Sequence, residues 1–124
     1  MTRRSSASRP ELDWDALRDR AEAVVVQIVE SLPEMLKAEA VKVTCLYHHW
    51  SDEVRDDHAL GQYNDFVPNQ MSKDGGVMVL FLGDLAEYCA RRGKSFEAEV
   101  KKTYLHELGH HFGWDEDDLR ARGL

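Results

Sequence analysis

The longest uninterrupted apolar run in the chain is Val77–Leu82, and it restricts the possible folds more than any other segment. Glycines bound the run on both sides, with Gly75-Gly76 before it and Gly83 after it. A short apolar run between such turn residues predicts a β-strand. A second segment, Val41–Tyr47, alternates and is rich in β-branched residues, which predicts another strand. We therefore expect a small sheet.

The segment before these strands is predicted to be helical. Apolar residues recur at steps of three and four from Leu12 to Leu32, which is typical of a helix with one buried stripe. Ser31 and Glu34 have the spacing of a capping box, and this pair predicts a second, short helix through about Ala40.

Two more helices are expected after the apolar run. Asp84 and Glu87 again have capping-box spacing, so a helix should begin there and end at Gly93. Ser95 is a suitable cap for the next helix, from about Phe96 to Phe112. The order of helix, strand, strand, helix and helix predicts an α+β fold in which a small sheet packs against helices.

The length of 124 residues suits one domain with one core. Residues 1–10 are rich in arginine and serine without an apolar stretch behind them, so we expect a disordered basic tail followed by a single compact domain over residues 11–124. The polar segment from His48 to Met71 shows little periodicity and is predicted to be a long loop, and loops of this length are often functional.

The charge balance argues against two classes of partner. Sixteen Lys and Arg against 23 Asp and Glu give a formal charge of −7, which repels nucleic acid and anionic membranes. No segment approaches the 18 or more apolar residues of a transmembrane helix. The two cysteines, Cys45 and Cys89, are too few for a disulfide scaffold, so we expect them reduced and the protein cytoplasmic. The oligomeric state is not indicated by the sequence.

The candidate chemistry lies in the last predicted long helix. His106 and His110 are four residues apart, so both imidazoles project from one helix face and can bind a single divalent ion. Glu107 lies one residue beyond the first histidine, where its carboxylate can hold and deprotonate a water molecule. A histidine pair with this spacing also occurs by chance on exposed helices, but the helical periodicity and the glycine that follows favour the functional interpretation.

A catalytic zinc site needs a third protein ligand, and Gly113 allows the chain to turn sharply after the helix. Glu116 lies ten residues after His106 and is the predicted third ligand. Asp115 and Asp117 are alternatives, although Asp115 is also a natural N-cap for a last short helix.

At these residues the chain resembles the minimal zincins, small bacterial metallopeptidases with a His-Glu-x-x-His-x-x-Gly-x-x-Asp core. The segment Leu60–Tyr63 looks like the Leu-Gly-x-Tyr loop of that family, and Val79–Phe81 looks like its strand before the active-site helix. The resemblance implies a compact zincin-like α+β domain, zinc bound by His106, His110 and an acidic third ligand, and Glu107 as general base. The chain departs from the pattern because Glu116 replaces the usual Asp and no methionine follows Gly113.

The predicted function is therefore zinc-dependent hydrolysis of a peptide or protein substrate by an activated water molecule. Two alternatives belong to other classes. One is a zinc or partner-binding module without catalysis. The other is a metal-dependent endoribonuclease, a class that uses a similar spacing with a third histidine where this chain has Glu116. The acidic charge balance disfavours the nuclease.

Some supporting roles stay open at the sequence level. Tyr63, His58 and Tyr104 are equal candidates for stabilising an oxyanion. The strand at Val77–Leu82 is one place where a substrate peptide can pair as an added strand. His111 points about 100° away from His110 on the helix, so it is expected to be packed or to support the ligands indirectly.

Overall fold

The computed structural model describes residues 11–51, 60–64 and 76–121, without the side chains of Asn64, Glu116 and Leu119. The predicted tail over residues 1–10 and most of the predicted loop lie outside these ranges. The elements, in chain order, are α1 (Trp14–Ser31), α2 (Glu34–Ala40), β1 (Thr44–His48), β2 (Gly61–Asn64), β3 (Val77–Phe81), α3 (Leu82–Arg92), α4 (Phe96–His111) and α5 (Glu116–Ala121). The predicted α+β class is confirmed.

The three strands form one sheet in which β3 is central. β1 pairs with β3 in parallel, with Leu46 opposite Val79, and β2 pairs with it antiparallel, with Gly61 opposite Leu80. Because β3 has a neighbour on each side, the prediction that a peptide can pair along Val77–Leu82 was wrong. The reason is β2, a four-residue strand inside the segment that was predicted to be loop.

The helices cover the sheet on the side of Met78 and Leu80, which are both 0% exposed. α1 contributes a buried stripe, as its periodicity predicted, and packs against α4. Its N-cap is Asp13, whose carboxylate accepts a hydrogen bond from the backbone N–H of Ala16. An ion pair between Arg20 of α1 and Glu97 of α4 adds a contact at the surface. These interactions fix α4 against the core.

The start of α3 differs from the sequence prediction. The helix begins at Leu82, directly after β3, and Asp84 lies inside it instead of capping it. The Asp84 carboxylate accepts hydrogen bonds from the backbone N–H and the hydroxyl of Ser51, both 2.9 Å long and both buried. Gly83 donates its N–H to the carbonyl of His49 at 2.6 Å. The carboxylate is therefore used to hold the chain that leaves β1.

The starts of α2 and of β1 also differ from the sequence prediction, each for a local reason. Ser31 donates its hydroxyl to the carbonyl of Ile28 and does not cap α2, whose N-cap is Pro33. The first strand begins at Thr44 because Val41 still bonds to the carbonyl of Lys37 at the end of α2. No helix in the described ranges has the length and hydrophobicity that a membrane span requires.

Candidate metal and peptidase site

The site is built on α4, whose position follows from its cap and its buried face. Ser95 accepts a hydrogen bond from the N–H of Ala98 at 3.2 Å, as the sequence predicted. Val100, Tyr104 and Leu108 recur at a spacing of four and are at most 2% exposed, so this face packs into the core. The predicted site residues must therefore project from the remaining faces of the helix.

His106 and His110 lie together on one of these faces. Their ring centroids are 5.1 Å apart and the ring planes are nearly perpendicular, at 83°. Both residues are half-buried. The two imidazoles therefore lie next to each other on one helix face, as the one-turn separation predicted, and a shared metal ion stays a prediction.

The ring of His110 is fixed by the chain that follows the helix. Gly113 has φ of 85°, the left-handed conformation that the sequence predicted for this glycine. After this bend, Nδ1 of His110 lies 3.2 Å from the carbonyl of Trp114. A carbonyl only accepts, so Nδ1 must donate, and in the neutral ring Nε2 then carries the lone pair. This is the backbone support that orients metal-binding histidines in general.

Glu107 is half-buried and adjoins a cleft between α4 and β2. The Gly61 backbone lies so close to the helix that a Cβ there would be 3.4 Å from Cγ of Glu107. The cleft has a volume of about 270 Å³. Its lining comes from β2 and the residue before it, from α3 and from α4, and comprises Leu60, Gly61, Tyr88, Glu99, Lys102, Thr103, His106 and Glu107.

The cleft includes residues that the sequence analysis missed. Glu99 lies seven residues before His106, and a helix places residues seven apart on nearly the same face. This spacing was visible in the sequence and points to Glu99. The contribution of Tyr88 from α3 was not visible, because it depends on how two helices pack.

The candidates for a third ligand in the acidic segment after Gly113 differ in the contacts that their side chains make. Asp115 and Asp118 cap each other: each accepts a hydrogen bond from the other's backbone N–H, at 2.8 and 3.1 Å. Asp117 is exposed and pairs with Arg120 at 2.8 Å. The side chain of Glu116 is outside the described part of the chain. Within that part, no cluster of three His, Cys, Asp or Glu side chains has metal-binding geometry.

His111 connects three elements beside the site. Its side chain is 9% exposed, which confirms the prediction that it is packed. Nε2 lies 3.2 Å from a carboxylate oxygen of Glu39 in α2, and Nδ1 lies 2.5 Å from the hydroxyl of Tyr63 in β2. Because the carboxylate can only accept, the neutral ring donates from Nε2 and accepts from Tyr63. The pKa of Glu39 is lowered, first by its hydrogen bond to Lys42 and then by that to His111.

The remaining sequence candidates are placed elsewhere or not described. Tyr104 is 2% exposed, and burial raises its pKa to about 12, so this side chain belongs to the core and not to the cleft. His49 stacks on Trp14 with ring centroids 3.8 Å apart. His48 contacts the ring of Phe81. His58 lies outside the described residues.

Comparisons with known proteins agree with this architecture. The family model described as zincin-like metallopeptidase matches residues 21–124. Among solved structures, a conserved hypothetical protein from Thermo thermophilus is similar, with a TM-score of 0.53 and 26% sequence identity. That match covers 89% of this chain and 99% of the other. No curated protein matches. Because the family model spans most of the sequence, the chain belongs to the zincin-like metallopeptidase family.

Proposed function

We propose that the protein is a zinc-dependent peptidase in which His106, His110 and Glu116 bind the metal and Glu107 is the general base. The observation that carries the proposal is the pair of imidazoles on one face of α4, with ring centroids 5.1 Å apart, beside a cleft that His106 and Glu107 line. Family membership adds support, because the family model that matches this chain is described as zincin-like metallopeptidase.

The donor set fits zinc. Two neutral imidazoles and one carboxylate are a common set for catalytic zinc, and the Trp114 carbonyl already orients His110 for this role. Glu116 is the preferred third ligand because Asp115 caps α5 and Asp117 pairs with Arg120. When bound, zinc supplies a Lewis acid that polarises the substrate carbonyl and acidifies water.

Glu107 then provides the proton transfer. Its carboxylate accepts a proton from the attacking water and returns that proton to the amine that leaves. Glu107 is half-buried and lines the cleft, where its carboxylate can reach a water molecule beside the substrate. The substrate reaches this position along β2, because β2 borders the cleft and pairs with β3 on only one side within the described sheet.

We further propose a cytoplasmic location and no nucleic-acid partner. Both described cysteines, Cys45 and Cys89, are free thiols, which suits a reducing compartment. The formal charge of −7 disfavours association with a phosphate backbone.

Metal analysis of the purified chain tests the ligand set. We expect near-stoichiometric zinc in the wild type and large losses in His106→Ala, His110→Ala and Glu116→Ala. Asp117→Ala is the matched control, since it removes a neighbouring carboxylate and should keep the metal. If Glu116→Ala retains zinc, the assignment of the third ligand is wrong.

Hydrolysis tests the role of Glu107. Glu107→Gln should keep zinc, and its rate of cleavage of a peptide library should be at least about 100-fold lower than that of the wild type, which is the usual size of a general-base effect. Zinc in both proteins without cleavage by either supports the non-catalytic module instead. Cleavage of RNA that EDTA abolishes supports the endoribonuclease.

A further inference from the structure

Glu99 is a buried acid that the proposed chemistry does not use. The residue is 8% exposed and lines the cleft beside the histidine pair. No group in the described parts of the chain forms a hydrogen bond or an ion pair with its carboxylate. Burial of a charged group without a partner is costly, so such a group is uncommon in a protein unless a ligand compensates it.

The α3 side of the cleft lies near the Glu99 charge. Burial raises the pKa of the Cys89 thiol in α3, and the negative charge of Glu99 raises it further. Tyr88 of the same helix forms the adjoining wall. Arg92 lies over the Tyr88 ring, with its guanidinium carbon 5.3 Å from the ring centroid, and makes no ion pair with Glu99.

Lys102 is the positively charged residue of α4 that lines the cleft, and it is exposed. It lines the same cleft three residues after Glu99 but forms no ion pair with it. The helix therefore brings a carboxylate into the cleft and leaves it without the neighbour that would ordinarily neutralise it at this spacing.

We propose that Glu99 binds a cationic side chain, lysine or arginine, of the peptide substrate. The inference rests on the proposed peptidase function, to which it adds a preference for basic residues near the cleaved bond. The cleft of about 270 Å³ accommodates one such side chain, with Tyr88 beside its aliphatic portion and the Glu99 carboxylate at its charged end.

The distance along α4 favours a side chain over the terminal amine of the cleaved residue. Glu99 and His106 are seven residues apart, so they are separated by about 10.5 Å along the helix axis and differ in direction by about 20°. The α-ammonium of a residue is two bonds from its own carbonyl and is too close to the metal ligands to reach Glu99. A long basic side chain bridges this separation.

Binding of matched peptides tests the proposal without requiring hydrolysis. Two peptides, acetylated and amidated at their ends, carry either arginine or citrulline, which has nearly the same shape and no charge. We expect the full-length Glu107→Gln protein, loaded with zinc, to bind the arginine peptide at least 10-fold more tightly. Adding Glu99→Gln should remove this difference, whereas Glu34→Gln, which removes an exposed carboxylate of α2, should preserve it. A difference that survives Glu99→Gln overturns the proposal.

Two further arms make the test more specific. Lys102→Gln should strengthen binding of the arginine peptide, because a competing positive charge leaves the cleft; unchanged or weaker binding counts against the proposal. A peptide with a free amino terminus and citrulline should bind no better than its acetylated form. If it gains the 10-fold advantage instead, the cleft recognises a terminal amine and the assignment to a side chain is wrong.

Hydrolysis by the wild type separates failure of this inference from failure of the proposed function. Cleavage of arginine and citrulline peptides with equal kcat/KM leaves a peptidase without a Glu99 specificity site. An arginine preference in binding that Glu99→Gln removes, with no cleavage of any peptide, keeps the cation site and rejects the peptidase.

Discussion

The close approach of β2 to α4 leads to a quantitative prediction for Gly61→Ala. A Cβ at this position would lie 2.6 Å from Cγ2 of Thr103, about 1 Å closer than two carbon atoms normally approach. Such overpacking costs about 1–3 kcal/mol. Replacing glycine by alanine also restricts the unfolded chain, which returns about 0.4–1 kcal/mol. We therefore expect a net loss of up to about 2.6 kcal/mol in the free energy of unfolding.

Thr103→Ser is the second substitution of this test, because it removes the methyl group that a Cβ at position 61 would meet. Alone it removes one buried methyl group and should cost about 0.5–1.5 kcal/mol. In that background the methyl that would meet the new Cβ is absent, so Gly61→Ala should become neutral or stabilising. The coupling energy between the two positions is therefore about 1–3 kcal/mol, with the double variant more stable than additivity predicts.

Urea unfolding of the four proteins, followed by circular dichroism, measures this coupling. Gly93→Ala is the control: Gly93 has φ of 65° and open space around its Cβ position. Its cost should arise from the backbone conformation alone and should be additive with Thr103→Ser. Additivity of Gly61→Ala with Thr103→Ser would refute the packing of β2 on α4 described above. Hydrolysis should fall in Gly61→Ala and recover in the double variant, because Glu107 lies beside the same glycine.

Two other predictions concern buried groups. Asp84→Ala should cost about 2–4 kcal/mol because it leaves the buried N–H and hydroxyl of Ser51 without their acceptors, whereas Ser51→Ala should cost about 1 kcal/mol; equal shifts in the urea midpoint would contradict this. Burial raises the pKa of the Cys45 thiol to about 11 from an ordinary value of 9.0. At pH 8 the thiolate fraction of Cys45 should be about 100-fold lower in the folded protein than in the unfolded protein. Iodoacetamide should therefore alkylate Cys45 about 100-fold more slowly in the folded protein than in urea. The rate in the folded protein should rise about 10-fold per pH unit. Mass spectrometry of the Cys45 peptide measures both rates, and similar rates in the two states would show that the thiol is not buried.

The elements that the sequence predicted well have strong local signals. α4 combines a serine cap, an apolar stripe and the histidine spacing, and all three appear in the structure at the expected residues. The bend at Gly113 was predictable because a side chain that follows the helix can return to the site only after a left-handed turn. Local signals suffice when the physical cause lies within one or two helical turns.

β2 and the start of α3 were not predictable in this way. β2 has four residues, begins with glycine and is stabilised by β3, so its own sequence contains almost no strand signal. Asp84 matches a capping pattern, but its carboxylate is used by Ser51, 33 residues earlier in the chain. In both cases the deciding contact is with a residue distant in sequence, and tertiary interactions override local preference.

The alternation of β2 explains how one short strand supports the site. Gly61 and Tyr63 are two residues apart and therefore point to the same face of the strand. On the helix, Thr103, Glu107 and His111 follow each other at steps of four and form one ridge. Gly61 packs against the ridge at Thr103 and Glu107, and Tyr63 contacts it at His111. One face of β2 therefore packs along this ridge of α4. The histidine pair lies on the adjacent face, which leaves it beside the cleft while β2 fixes the rotation of α4 about its axis. A shift of β2 would therefore change the direction in which Glu107 and both histidines face the cleft.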